Sequence, residues 1–255
     1  MKWDPSQYLA FADLRLRPAL DLLARTPGET PKLVVDLGCG PGNLTPHLKA
    51  RWPAARVVGV DASAEMLAKA RLAVPGAEFV QADVAAWRPD RAPDVLYSNA
   101  ALHWLDRHEE LFPRLLDLLA PGGALAVQMP RNHGAPSHTE IVATVQEGPW
   151  RARLEPLLRP SPTHPPAAYY DLLAPRAARL DVWETEYLQV LEGADPVKEF
   201  TKGSALKPFL DALQGAERDG FEAAYAARLR RAYPPQADGR TLFPFRRLFL
   251  IATRA

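Results

Sequence analysis

The chain has 255 residues, 47% hydrophobic and 24% charged, which suits a globular protein with a sizeable buried core. Its 31 Lys and Arg balance 30 Asp and Glu, so it lacks the overall basic field expected of a nucleic-acid or membrane-surface protein. The single cysteine, Cys39, excludes an intramolecular disulfide framework, and no apolar run approaches the roughly 18 residues of a membrane span.

The opening stretch carries Asp4, Asp13, Arg15 and Arg17 and has no apolar core of signal-peptide type, which points to a cytoplasmic protein. Residues 4–25 read as a helix, with Leu14, Leu16, Leu20, Leu22 and Leu23 near helical spacing and Pro18 as the expected break. Strands and helices then alternate. "LVVDLG" (33–38) is a strand, 43–51 a short helix and "ARVVGVD" (55–61) a second strand. Ser63 caps a helix running through Met66, Leu67 and Ala70. "AEFVQAD" (77–83) and "PDVLYSN" (93–99) are further strands, and a helix near 106–119 follows with Leu111, Leu115, Leu116 and Leu119 on one side. A turn at Pro121, Gly122 and Gly123 leads into the strand "ALAVQMP" (124–130). This alternation predicts an α/β fold with a doubly wound, mostly parallel sheet. Beyond 131 come a Pro-rich connection (159–166), an alternating strand (180–191), helical stretches between 195 and 232 and a last strand at 246–255. The helical pieces at 1–25 and 195–232 are expected to cap the ligand edge of the sheet, beyond the carboxyl ends of its strands.

The first strand runs into "DLGCGPGN". Its glycines, Gly38, Gly40 and Gly42, are spaced G-x-G-x-G, and Asn43 stands where a dinucleotide fingerprint would have its third glycine. Asp36, two residues before the loop, is a poor neighbour for a pyrophosphate and a good one for a cation. That favours S-adenosylmethionine, which carries a sulfonium and an ammonium against one carboxylate. Asp61 ends the second strand, where a carboxylate can accept from both ribose hydroxyls. Asp83 ends the third and could accept from an adenine amino group, on which Met66 could pack.

"DLGCGPGN", "GVDAS", "QADV" and "NAALHW" occur in order over 33–104 and resemble the motifs of class I S-adenosylmethionine-dependent methyltransferases. The resemblance implies a seven-stranded sheet with an antiparallel final hairpin. It also implies a cofactor site drawn from Asp36, Gly38, Gly40, Asn43, Asp61, Ala62, Met66, Asp83, Val84 and Asn99, with S-adenosylhomocysteine as product. A closer resemblance covers nearly the whole chain, through "LAPGGALAVQMP", "PSH", "YYDLL", "KGSALKPFLDAL" and "AYPPQADGRTLFPFRRLF". It is to the trans-aconitate methyltransferases, which esterify one carboxylate of a tricarboxylic acid. One methyltransferase domain is then expected over 1–255. It divides into an N-terminal cap (1–30), a cofactor core (31–131), a connection with helices (132–178) and the last strands with an inserted helical cap (179–255).

A tricarboxylate needs cations around it. Residues 196–255 hold eleven Lys and Arg against six Asp and Glu, a local basic bias inside the balanced total. The expected substrate residues are Arg15, Arg17, His103, Trp104, Arg131, Trp183, Lys202, Lys207, Arg246 and Arg247. At Arg246 the sequence departs from the family, which commonly has a proline there. No metal is expected, and no catalytic base: a carboxylate is already ionised at neutral pH. The expected partner is a small tricarboxylate, with no nucleic acid or membrane, and a monomer or weak homo-oligomer. The rival readings are another small-molecule or acyl-carrier carboxyl methyltransferase on the same fold, a nicotinamide oxidoreductase, and a non-catalytic binding module.

Overall fold

A computed structural model describes residues 12–255, without the side chains of Ala12, Asp13 and Arg15. The first part of the helix expected over 4–25 and the expectation for the Arg15 side chain therefore lie outside the described residues.

Helix α1 (Ala12–Arg25) precedes strand β1 (Leu33–Leu37), followed by α2 (Thr45–Arg51), β2 (Arg56–Asp61), α3 (Ala64–Ala73), β3 (Glu78–Gln81), β4 (Val95–Asn99), α4 (His108–Leu118) and β5 (Ala124–Pro130). Then come α5 (Pro136–Glu147), the single turn α6 (Arg151–Leu154), α7 (Pro166–Leu173), β6 (Ala177–Leu191), α8 (Pro196–Lys202), α9 (Lys207–Asp211), α10 (Gly215–Ala232) and β7 (Thr241–Arg254). The seven strands form one sheet in the order β3-β2-β1-β4-β5-β7-β6. The β1–β5 neighbours pair in parallel, and β7 runs antiparallel to β5. This is the expected seven-stranded architecture, and its chain order reverses at β1, between β2 and β4.

The central strands are buried on both faces, which is why "LVVDL" and "ALAVQMP" read as near-continuous apolar runs. β6 is an edge strand, so its second half alternates: Tyr187, Gln189 and Leu191 are buried while Leu188 and Val190 are exposed.

Two elements differ from expectation. Pro18 does not break α1. Ala19, Leu22 and Leu23 are buried, and the Tyr97 hydroxyl donates to the Ala19 carbonyl at 2.5 Å, so tertiary anchoring outweighs the bond that proline removes. β7 begins at Thr241, well before 246, and runs through Pro244. The β5 ladder ends at the Pro130–Arg247 pair, so the missing N–H of Pro244 costs no bond there.

The chain gathers into two compact units. The smaller comprises the described residues before Leu16 with Arg131–Ser161 and Glu186–Arg246; the larger comprises Leu16–Pro130, Pro162–Thr185 and Arg247–Ala255. Each has its own core. In the larger, Leu33, Val35, Leu37, Leu96, Leu125 and Val127 pack with Leu111, Phe112, Leu115 and Leu116 of α4. In the smaller, Ile141 and Val145 of α5 pack with Phe200, Phe221, Tyr225, Phe243 and Phe245. No helix among the described residues is long and apolar enough to cross a membrane.

Candidate functional site

The glycine loop leaves β1 and folds back toward the end of β2, where the Gly38 and Cys39 N–H groups both donate to the Val60 carbonyl, at 2.7 and 3.1 Å. Gly38 has φ +72°, and a Cβ there would overlap that of Ala101. Only glycine serves at this crossing of the β1 and β4 termini. Gly40 has φ +54°, and a Cβ there would meet no protein atom within 4 Å, so the loop backbone is open for close approach by a ligand.

Asp61 fixes this loop. One carboxylate oxygen accepts from the Gly40 N–H at 2.9 Å and the other from the Ser63 N–H at 2.8 Å. Each keeps lone-pair capacity for a further donor. The Ser63 hydroxyl accepts from the Met66 N–H at 3.2 Å and so caps α3 as expected. Ser63→Ala should destabilise the fold by about 1 kcal/mol and lower its melting temperature by a few degrees, read by thermal denaturation.

Asp36 lies beside this arrangement, 2% exposed, and its Oδ2 has no hydrogen-bond partner. Burial pushes its pKa up to about 7, and the Asp61 charge pushes in the same direction. Asn99 ends β4 with its Oδ1 likewise buried and unpartnered. It is followed by Ala100 in a left-handed conformation (φ 51°), an uncommon backbone for alanine. Two orphaned buried acceptors beside an open glycine backbone fit a cationic ligand with donor groups.

The remaining expected cofactor residues are more scattered. Asn43 and Ala62 are exposed, Met66 is half-buried and Val84 buried. Asp83 lies two residues past the end of β3, is exposed, and accepts from the Ala85 N–H at 2.9 Å. Arg114 of α4 steadies that loop by donating to the Val84 and Trp87 carbonyls at 2.7 and 2.9 Å.

The expected substrate residues fall in both units. In the larger, Arg17 is exposed and His103 packs on Trp104, with ring centroids 4.6 Å apart. The turn holding those two rings is pinned by His108, which is fully buried. Its Nε2 donates to the Leu102 carbonyl at 3.0 Å, and its Nδ1 accepts from the Tyr169 hydroxyl at 2.6 Å. Burial lowers its pKa, so the ring is held neutral in this arrangement. Trp183 stacks on Phe249 at 5.0 Å under the Arg25 guanidinium. Arg247 is 3% exposed, with Nη1 donating to Gln128 Oε1 at 3.4 Å.

In the smaller unit, Arg131 is half-buried, and its N–H donates to the Arg246 carbonyl at 3.0 Å. Arg246 is exposed, 3.7 Å from Glu186. Lys202 pairs with Glu222 (2.7 Å) and Glu199 (3.0 Å), and Lys207 with Asp211 (2.8 Å). These two lysines thus already have carboxylate partners.

Two features went unnoticed at the sequence level. Gln128 is fully buried in β5, and its only signal is a lone polar residue in an apolar strand. In the smaller unit, Asn132 donates to the Ser137 hydroxyl (3.0 Å), which meets His138 Nδ1 (3.1 Å), while His133 and His138 lie 4.9 Å apart. Burial, and then His133, lower the His138 pKa to about 3.

A family model described as a methyltransferase domain matches residues 34–123. The trans-aconitate 2-methyltransferase of Azoarcus sp. (strain BH72) is 52% identical over 252 residues, covering 99% of both chains. That of Methylobacterium radiotolerans is 48% identical over 256 residues, covering 99% of this chain and 98% of its own. Among solved structures, the YcgJ protein of Bacillus subtilis matches with a TM-score of 0.57 at 16% identity, over 92% of this chain and 96% of that one. Phosphoethanolamine N-methyltransferase 2 of Haemonchus contortus, bound to S-adenosylhomocysteine, matches with a TM-score of 0.56 at 17% identity, over 94% of this chain and 53% of that one. At such identities the solved structures speak for the fold.

Proposed function

The chain belongs to the trans-aconitate 2-methyltransferase family, and from that premise we propose that it methylates one carboxylate of trans-aconitate, or a closely similar tricarboxylate, to a monomethyl ester. The observation that carries the reading is full-length relatedness at 52% identity, which extends through the caps and connections and beyond the glycine loop. The orphaned acceptors Asp36 Oδ2 and Asn99 Oδ1 support a cationic methyl donor.

We assign the cofactor to Asp36, Gly38, Gly40, Asp61 and Asn99, with Asn43, Ala62, Met66, Asp83 and Val84 around them. The substrate is assigned to Arg17, His103, Trp104, Trp183 and Arg247 of the larger unit; Arg131 and Arg246 of the smaller unit belong to this set by sequence only, Arg246 being exposed beside Glu186. Arg15 belongs to this set by sequence, and Lys202 and Lys207 would first have to exchange their present partners. When bound, S-adenosylmethionine supplies an electrophilic methyl: a carboxylate oxygen forms the O–C bond as the C–S bond breaks, and that electron pair stays on sulfur. The protein's own work is positioning. Asp36 and Asp61 balance the cation, and Arg247 neutralises substrate carboxylate. No residue removes a proton, because the attacking carboxylate has none to give at neutral pH. His103 is accordingly a binding residue.

Incubation with trans-aconitate and S-adenosylmethionine should yield a product heavier by one methyl ester, read by mass spectrometry. Absence of any ester under those conditions overturns the substrate assignment.

A further inference from the structure

Strand register places four polar residues on one face of the sheet in the larger unit. Asp36 pairs with Tyr97, Tyr97 with Ala126, Asn99 with Gln128, and Gln128 with Phe249. Side chains in register share a face, as do residues two apart on a strand. Asp36 of β1, Asn99 of β4, Gln128 of β5 and Arg247 of β7 therefore all project to the same side. It is opposite to the side where Leu37, Leu96, Val127 and Leu248 pack.

Along this row the hydrogen-bonding character changes sign. Asp36 Oδ2 and Asn99 Oδ1 are acceptors without a partner. Gln128 Nε2 and the Arg247 guanidinium are donors, and Gln128 Nε2 is buried without an acceptor. The orientation of the Gln128 amide is fixed by its neighbour. A guanidinium only donates, so the oxygen, 3.4 Å from Arg247 Nη1, must face it and the NH₂ must turn away. An unmet buried donor is destabilising, a cost that an apolar residue of the same shape would avoid. The cost is recovered if an anion accepts from Nε2 while Arg247 neutralises it.

We propose that Gln128 is a specificity-determining residue: its Oε1 holds the Arg247 guanidinium, and its Nε2 donates to the same substrate carboxylate. The sign change between β4 and β5 then sorts the two reactants, with the cation on the acceptor side and the carboxylate on the donor side. The assignment rests on the trans-aconitate reading for the identity of its substrate.

The test is calorimetric titration of trans-aconitate into protein saturated with S-adenosylhomocysteine, for wild type, Gln128→Met and Gln128→Glu. Three analogues each lacking one carboxyl (itaconate, glutaconate and methylbutenedioate) are titrated alongside. Gln128→Met should weaken trans-aconitate about 10-fold, and Gln128→Glu about 100-fold through added like-charge repulsion, with S-adenosylhomocysteine affinity unchanged in both. The loss in Gln128→Met should vanish for the one analogue that lacks the carboxylate read by Gln128. Trans-aconitate binding within twofold of wild type in Gln128→Met overturns the assignment. So does an equal loss for all three analogues, which would mark a structural role. Wild type that does not bind trans-aconitate at all overturns the functional reading, and this assignment with it.

Discussion

Asp36→Asn should melt about 10 °C higher than wild type at pH 9 in the absence of ligand, and bind S-adenosylmethionine roughly 10- to 100-fold more weakly. Both effects have one cause. The Asp36 carboxyl is buried beside Asp61, and its pKa rises from 3.8 to about 7. Because the folded pKa lies above the unfolded one, the fold favours the neutral form. The associated stability is fully present below pH 3.8 and is lost as pH rises through about 7. A shift of roughly three units corresponds to on the order of 4 kcal/mol carried as a burden above that pH. Asparagine keeps the shape and removes the charge, so the gap between the variant and wild type should grow from about pH 4 to 7 and stay level above. The same charge is what a cationic cofactor would meet. Cation binding would pull the Asp36 pKa down, so wild-type affinity should rise with pH toward 7 and binding below 7 should release a proton. Melting curves at pH 5, 7 and 9, with calorimetry in buffers of different ionisation enthalpy, read both effects. A variant no more stable than wild type at pH 9 would show that Asp36 carries no such burden.

How far the site was legible follows from how local each signal is. Gly38 and Asp61 were readable because part of each constraint is local. A positive φ demands glycine, and Asp61 accepts from the Ser63 N–H two positions on, although Gly38 also crosses Ala101 and Asp61 also holds the Gly40 N–H 21 positions away. Gln128 was not readable, because its meaning depends on a guanidinium 119 positions away and on the register that aligns it with Asn99. The two adjacent arginines make the same point. Arg246 and Arg247 point to opposite faces of β7, so one is exposed near Glu186 and the other is buried against Gln128. Period-2 alternation predicts that they differ, but only pairing with Pro130 settles which one is inside. Lys207 pairs with Asp211 one helical turn on, a spacing visible in the sequence as an alternative to ligand binding. Pro18 is a breaker by local geometry alone, and the tertiary anchoring of Ala19, Leu22 and Leu23 decides otherwise.

Arg247→Met should raise the KM for trans-aconitate about 100-fold, with a much smaller change in kcat and no change in S-adenosylhomocysteine affinity. Methionine retains most of the buried stem volume and can fill the space beside Phe249, so the β5–β7 ladder should survive. What is lost is the guanidinium, the donor to Gln128 Oε1 and the cation on the donor side of the sheet face. A charge-assisted hydrogen bond lost from a buried site is worth about 1.5–3 kcal/mol, and the larger figure corresponds to about two orders of magnitude in affinity. The effect should fall on KM because the carboxylates that Arg247 neutralises keep their charge through the reaction, so ground state and transition state lose the same interaction. Were Arg247 instead paired with the attacking carboxylate, whose charge is consumed as the ester forms, the variant would bind substrate weakly yet turn it over faster at saturation. Arg247→Lys separates charge from geometry: it keeps the cation but not the planar fork, and should recover only part of the loss. Initial-rate kinetics for the three proteins decide this, with calorimetry of S-adenosylhomocysteine as the control for folding. An unchanged KM in Arg247→Met, or an equal loss of S-adenosylhomocysteine binding, would remove Arg247 from the substrate site.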